Sequence, residues 1–217
     1  GASARACKSK TIMVDPFFKV ETNIIGSKPR LHIFQQESDA FFETGFLKSN
    51  KIKISLAFLD GLHLFEFLLR DFMNTEQHCD KNAVIALHDC CPWNFEMTTR
   101  DFKNLPEAPA AWTGDVWKLL PILQEYRPRL KVEVLNCRPT GLVLVSNLSP
   151  RDTTLRDHYD EIVARYADET IETYGTSRFY DSFEYSPPRQ VLRDGCAFLD
   201  KVRLPEDQNN QPKFVSP

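Results

Sequence analysis

The sequence predicts an α/β fold: a Rossmann-like, doubly wound, mostly parallel sheet with an antiparallel hairpin at its C-terminal edge. Three observations carry this expectation. Short β-branched or apolar runs alternate with amphipathic stretches as far as Leu87. Each early run ends in a polar or ionisable residue, as strands do when their carboxyl ends face a ligand crevice. Two later runs are joined by a tight connection, which reads as a hairpin.

Taken in order, Lys10 to Asp15 (KTIMVD) and Arg30 to Gln35 (RLHIFQ) have the β-branched content of strands. Ser38 to Leu47 (SDAFFETGFL) opens like a helix with Ser38 at its cap. Ile54 to Leu59 is a third strand. His63 to His78 sets Leu64, Phe67, Leu68 and Phe72 near helical spacing, with acids early, so a helix follows. Ala83 to Leu87 is a fourth strand. Cys91 to Gly114 holds three prolines and two tryptophans without a clean period and reads as a long connection of the kind used for lids and binding loops. Trp93, Phe95 and Trp112 are its candidates for shielding a site from water, or for packing the loop onto the core.

Asp115 to Tyr126 resumes as a helix that tolerates or kinks at Pro121. Leu130 to Asn136 and Gly141 to Asn147 form the hairpin, joined through CRPT. Thr153 to Tyr174 reads as one polar amphipathic helix with Leu155, Tyr159, Ile162, Val163, Tyr166 and Ile171 on its apolar face. Beyond Pro187 the composition turns to Pro, Asp, Asn and Gln, and the last dozen residues are expected to be loosely held. The organisation predicted is an α/β domain over residues 1–150 and a helical extension with a loose tail over 151–217.

Composition excludes several classes. With 42% hydrophobic and 26% charged residues and a formal charge of −3, the chain reads as a globular protein lacking the basic excess of nucleic-acid binders. No apolar run approaches the roughly 20 residues of a membrane helix, and the first residues show no signal-peptide pattern, so neither a membrane nor a nucleic acid is expected as partner and the location expected is cytoplasmic. The six cysteines form no CxxC pair, so reduced thiols are expected and zinc held by cysteine pairs has no support. The hairpin and the polar helix are candidate contacts for a homo-oligomer, between which the sequence does not choose.

The chemistry concentrates at the strand ends. Asp15 closes the first strand, Ser38 and Asp39 follow the second, Asp60 closes the third with His63 three positions on, and His88 and Asp89 close the fourth. Histidine titrates near neutral pH and suits proton transfer, while paired carboxylates suit a divalent cation. The order VDP, Ser-Asp, FLDGLH, ALHD, followed by DVWKLLPILQEY, KVEVLN and GLVLVSN, resembles the class I S-adenosylmethionine-dependent methyltransferases. Within them it is most similar to the sugar and small-molecule O-methyltransferases with a DGxH signature. The resemblance covers Gly1 to Asn147.

This resemblance implies S-adenosylmethionine as cofactor and a small-molecule or sugar hydroxyl as substrate. It implies that Asp15 holds the cofactor ribose, that Ser38 and Asp39 meet the adenine, and that His63 is the general base beside Asp60. Asp60, His88 and Asp89 correspond to the positions that hold a divalent cation, Mg²⁺ for an oxygen set or Mn²⁺, Fe²⁺ or Zn²⁺ where His88 contributes nitrogen. The family opens with a strand and a Gly-rich turn, and Gly1-Ala2-Ser3 resembles the end of that turn, so the strand before it is expected to be missing or truncated and Gly1 is the cofactor-binding remnant. Each position has a plainer reading: Asp15 as a turn residue before Pro16, Ser38 and Asp39 as helix caps, His63 as the start of a helix, and His88 as a support for Asp89. Two other functions stay open, a non-catalytic methyltransferase-like binding domain and a metal-dependent hydrolase built on Asp60, His63, His88 and Asp89.

Overall fold

A computed structural model describes residues 5–101, 103 and 111–202. The chain is a mixed α/β protein that divides into two compact units, one running to Ile52 and the other spanning Lys53–Val202. Gly1 lies outside the described residues. No helix among the described residues is long and apolar enough to cross a membrane.

In the first unit, β1 (Thr11–Val14) and β2 (Leu31–Phe34) pair in parallel, with Thr11 opposite Leu31 and Val14 opposite Phe34. Helices α1 (Ser38–Glu43) and α2 (Phe46–Ser49) follow, separated by Gly45 in the left-handed region at φ 64°, where a glycine avoids the Cβ penalty. Phe34 of β2 packs on Phe41 and Phe46 with ring centroids 4.8 and 4.9 Å away, which seats both helices on the strand. Ser38 is not the cap that the sequence suggested. The extended cap position belongs to Glu37, with no side-chain cap bond, and Ser38 is already helical.

The second unit is built on β3 (Ile54–Leu59), α3 (Phe65–His78), β4 (Cys79–His88), α4 (Leu119–Tyr126), β5 (Lys131–Leu135) and β6 (Leu142–Ser146), with a short late strand β7 (Tyr185–Ser186). The sheet order is β3-β4-β6-β5-β7. Because β3 is parallel to β4 and β5 to β7, while β6 is antiparallel to both of its neighbours, only β6 runs against the others. The predicted hairpin is present as β5 and β6, but it stands one strand in from the edge. β6 lies between β4 and β5, and β7 pairs along the outer side of β5 through Val134 and Leu135. A two-residue strand contributed from 50 positions downstream leaves no local pattern to read.

Strand alternation sends side chains to both faces, and both faces are covered. Ile85 and Leu87 of β4 and Val143 and Val145 of β6 enter the main core with Phe65, Leu68, Leu69 and Phe72 of α3 and Leu119, Leu120, Ile122 and Leu123 of α4. Val84, Ala86 and Leu144 face the other way, where Val191 of a late helix and Phe198 pack on them. This two-sided covering is the doubly wound arrangement. Pro121 sits in the first turn of α4, where its missing N–H removes no intrahelical bond, so it is accommodated there.

The stretch predicted as a single helix over Thr153 to Tyr174 is three: α5 (Thr154–Asp157), α6 (Tyr159–Tyr166) and α7 (Ile171–Tyr174). His158, at φ −107° and ψ 12°, breaks the first junction. At the second, the Thr170 hydroxyl accepts the Thr173 N–H while Thr173 Oγ1 takes the Thr170 N–H, a capping box that starts a new helix. The expected apolar residues are nevertheless the ones packed inward: Leu155, Ile162, Tyr166 and Ile171 join the same core as β4. Residue 150 is therefore no boundary between compact units, because the segment after it completes the second unit.

Candidate active site

Four of the residues singled out by sequence meet at the carboxyl ends of β3 and β4. Asp60 follows the last residue of β3, His88 is the last of β4, and Asp89 comes next. The register explains the meeting. Phe58 lies opposite Ala86, so Asp60 and His88, each two residues further along parallel strands, project from the same face of the sheet. The Phe58 and His88 rings are also in contact, with centroids 5.7 Å apart. Asp89 adopts φ 60°, a left-handed turn that aspartate tolerates better than most residues. Its carboxylate is buried, and the Thr140 hydroxyl just before β6 donates to Asp89 Oδ1.

His63 comes from the loop between β3 and α3, two residues before the helix begins at Phe65, so it does not start the helix itself. Its Nδ1 lies 2.8 Å from the Trp112 carbonyl oxygen. A carbonyl only accepts, so Nδ1 carries the proton and Nε2 is the nitrogen turned to the carboxylates. Nε2 stands 3.1 Å from Asp89 Oδ2 and 3.5 Å from Asp60 Oδ1. His88 turns its Nδ1 on the same two oxygens, at 3.1 Å from each.

The electrostatics follow from this convergence. Burial alone would raise the Asp60 carboxyl, but hydrogen bonds from His63 and His88 and their charge hold it far below the usual carboxylate range. Burial would lower His63, and it is outweighed by the Asp60 hydrogen bond, the Asp89 charge and the Trp112 carbonyl, so His63 is raised. His88 is pushed up to about 10 by its hydrogen bonds to Asp60 and Asp89, against a smaller burial penalty.

Two carboxylates and two imidazoliums make a neutral cluster, and two carboxylates, two neutral imidazoles and a divalent cation also make a neutral one. The site can exchange two protons for one dication without a change in net charge. The donor set therefore fits a divalent cation. Ligand atoms of Asp60, His63 and Asp89 lie within 4.8 Å of one another, so the compact trio includes His63 where the sequence had suggested His88. His88 stays at the trio's side through the same two oxygens.

The residues assigned to the cofactor lie in the first unit. Asp15 immediately follows β1; its Oδ1 accepts the Phe17 N–H at 2.7 Å, and its carboxylate is exposed. Ser38 is the first residue of α1 and Asp39 lies in its first turn, both half-buried. Of the three loop aromatics, Trp93 and Phe95 are exposed, while Trp112 stacks on His63 with ring centroids 4.8 Å apart. Sequence reasoning did not find Thr140 or the Trp112 carbonyl. Thr140 sits in a connection with no motif, and a backbone carbonyl has no signature in residue type.

Residues 1–90 match a family described as a methyltransferase domain. The matched stretch takes in Asp15, Ser38, Asp39, Asp60, His63, His88 and Asp89. It supports a methyltransferase, a family whose members use S-adenosylmethionine. None of the curated proteins compared matches the chain.

Proposed function

We propose that the chain is an S-adenosylmethionine-dependent O-methyltransferase of a small-molecule or sugar hydroxyl, assisted by a divalent cation such as Mg²⁺ or Mn²⁺. One observation carries the reading: imidazole nitrogens of His63 and His88 converge on the same two carboxylate oxygens, Asp60 Oδ1 and Asp89 Oδ2, at the ends of adjacent parallel strands. When bound, S-adenosylmethionine supplies an electrophilic methyl group, and a cation supplies positive charge beside the acceptor oxygen, lowering the pKa of the hydroxyl. Asp60 and Asp89 are the carboxylates that hold the cation. Asp15 is the carboxylate for the ribose hydroxyls, since its Oδ2 makes no hydrogen bond among the described residues. Ser38 and Asp39 are assigned to the adenine side.

His63 takes the acceptor's proton on Nε2. The Trp112 carbonyl fixes the tautomer that leaves this nitrogen basic, and Asp89 stabilises the imidazolium once the proton arrives. Bound S-adenosylmethionine would supply the methyl group and depart as a neutral thioether, while His63 would hold the proton lost by the acceptor hydroxyl. Trp112 covers one face of the imidazole.

A second reading has its own observation, because the compact ligand trio contains His63 Nε2. One lone pair cannot hold a proton and a cation at once, so the two roles separate experimentally. As the base, His63→Ala abolishes turnover and keeps cation affinity; as a ligand, it loses both. The first test is a calorimetric titration with S-adenosylhomocysteine, with and without Mg²⁺ or Mn²⁺. Micromolar binding, about −8 kcal/mol, supports the assignment and leads to screening of sugar and phenolic acceptors. No binding under either condition favours a non-catalytic relative.

A further inference from the structure

Of residues 112–115 (WTGD), only Trp112 has a place in the chemistry above, yet the segment as a whole holds His63 with backbone. The Trp112 carbonyl takes the His63 Nδ1–H. The Asp115 N–H donates to the His63 carbonyl at 3.2 Å, so the residue is held at both its side chain and its main chain. Between these contacts lies Gly114 at φ 53°, and a Cβ built on it would fall on the His63 carbonyl oxygen. Only glycine permits the approach. Asp115 then reaches one residue past Leu64: its Oδ1 accepts the Phe65 N–H at 2.9 Å, one of the orphan donors at the start of α3.

The segment is itself anchored. Thr113 N–H and Gly114 N–H both donate to the Met97 carbonyl, and the buried Thr113 hydroxyl takes the same acceptor at 2.9 Å. Asp115 Oδ2 is met by Lys118 Nζ at 2.8 Å and by Arg100 at 2.5 Å, and Arg100 also grips Glu66 in the first turn of α3. Asp115 and Lys118 are almost fully buried, so these links lie in a low-dielectric setting where ion pairs with good geometry hold firmly.

We infer that residues 112–115 form a positioning clamp that fixes the rotamer and tautomer of His63, with Gly114 and Asp115 as its determining residues. The inference rests on the proposed function only in taking His63 as a working group. Gly114 and Asp115 touch no reacting atom; they act through His63. The long connection that looked like a lid by sequence is in this part a brace, tied to the loop through Arg100 and Met97 and to the helix through Phe65.

The test reads His63 directly. A hydrogen-bonded Nδ1–H protected from exchange gives a downfield proton resonance, assigned by its disappearance in His63→Gln. The clamp requires this resonance in the wild-type protein and its loss in Gly114→Ala, with the far-UV circular dichroism unchanged. Asp115→Asn retains the backbone N–H and the Oδ1 acceptor and should keep the resonance, whereas Asp115→Ala should lose it. That pair decides the matter if Gly114→Ala fails to fold.

Where methyl transfer is measurable, Gly114→Ala should lower kcat about a hundredfold, the scale of a 1 Å misplacement, with KM for the cofactor unchanged. Absence of the resonance in the wild type would overturn the clamp, as would its survival in a folded Gly114→Ala or equal behaviour of the two Asp115 variants. A wild-type protein that shows the resonance but transfers no methyl group would sink the functional reading and leave the clamp standing.

Discussion

The second unit holds two charged clusters of opposite temperament. In one, Arg127 grips Glu76 through its two terminal guanidinium nitrogens, at 2.7 and 2.9 Å, while Ser149 N–H caps the same carboxylate and Asp152 meets Arg127 Nε at 3.2 Å. In the other, Asp60 and Asp89 face His63 and His88. The cation of the first is a guanidinium, whose charge is permanent. Those of the second are imidazoles, which give up their protons to a base, a cation or a change of pH. The first cluster can only hold the fold together; the second is arranged to be taken apart and reassembled. What separates them is the proton affinity of the cation.

The contrast breaks most visibly at Glu76. Glu76→Ala removes the bidentate partner of buried Arg127 and leaves it only the more exposed Asp152, and breaking a buried pair in this way costs about 3–5 kcal/mol. Urea unfolding followed by circular dichroism should show a loss of that size. A loss below about 1 kcal/mol would mean that the pair behaves like a surface ion pair and that the comparison is misdrawn. Asp89→Asn is the matched change in the other cluster. It keeps the shape, and it should abolish Mn²⁺ uptake in calorimetry while shifting the unfolding midpoint less than Glu76→Ala does. Unaltered Mn²⁺ uptake would remove Asp89 from the ligand set.

A smaller effect is expected one bond further out. Thr140 donates to Asp89 Oδ1 and so orients the oxygen that faces the histidines. Losing such a supporting hydrogen bond typically weakens cation binding about ten- to hundredfold. Thr140→Val should do so, and Thr140→Ser, which keeps the hydroxyl, should not. If the two variants bind Mn²⁺ alike, the hydroxyl orients nothing that matters.

The two clusters also differ in how far the sequence discloses them. Asp60, His63, His88 and Asp89 were legible because apolar runs end at them, and the alternation of strand and helix places strand ends together. The Glu76–Arg127 pair joins residues 51 positions apart, neither of which belongs to a motif. Helical periodicity correctly chose the buried face of Thr153 to Tyr174 and missed its breaks, because α5, α6 and α7 keep their apolar residues inward across both interruptions. The clamp on His63 was invisible for a different reason. Its contacts with His63 are a carbonyl and an N–H, which every residue other than proline owns, and only Gly114 and Asp115 mark the place in residue type.

The least of the expected effects, and the one that sharpens the comparison most, is the pH dependence of stability without added metal. Both histidines have folded-state values raised above the ordinary 6.5. A raised group contributes stability that is fully present below its unfolded value and is lost as pH rises through the folded one. The imidazolium contribution should therefore be complete at pH 6 and fade as pH climbs toward about 10 for His88. Asp60 works in the other direction: its depressed carboxyl stabilises above the ordinary carboxylate value and is lost only in strong acid. The amplitude is small, because the His88 side chain is a third exposed and solvent screens it. Mn²⁺ should invert the trend, since cation binding requires neutral imidazoles and tightens as the protons leave. Thermal midpoints measured with and without Mn²⁺ from pH 6 to pH 9 should diverge steadily. In Glu76→Ala the divergence should persist, because that cluster contains no imidazole; in Asp89→Asn it should vanish. Parallel curves in the wild type would mean that the protons on His63 and His88 do not exchange for a cation, and the two clusters would then be alike.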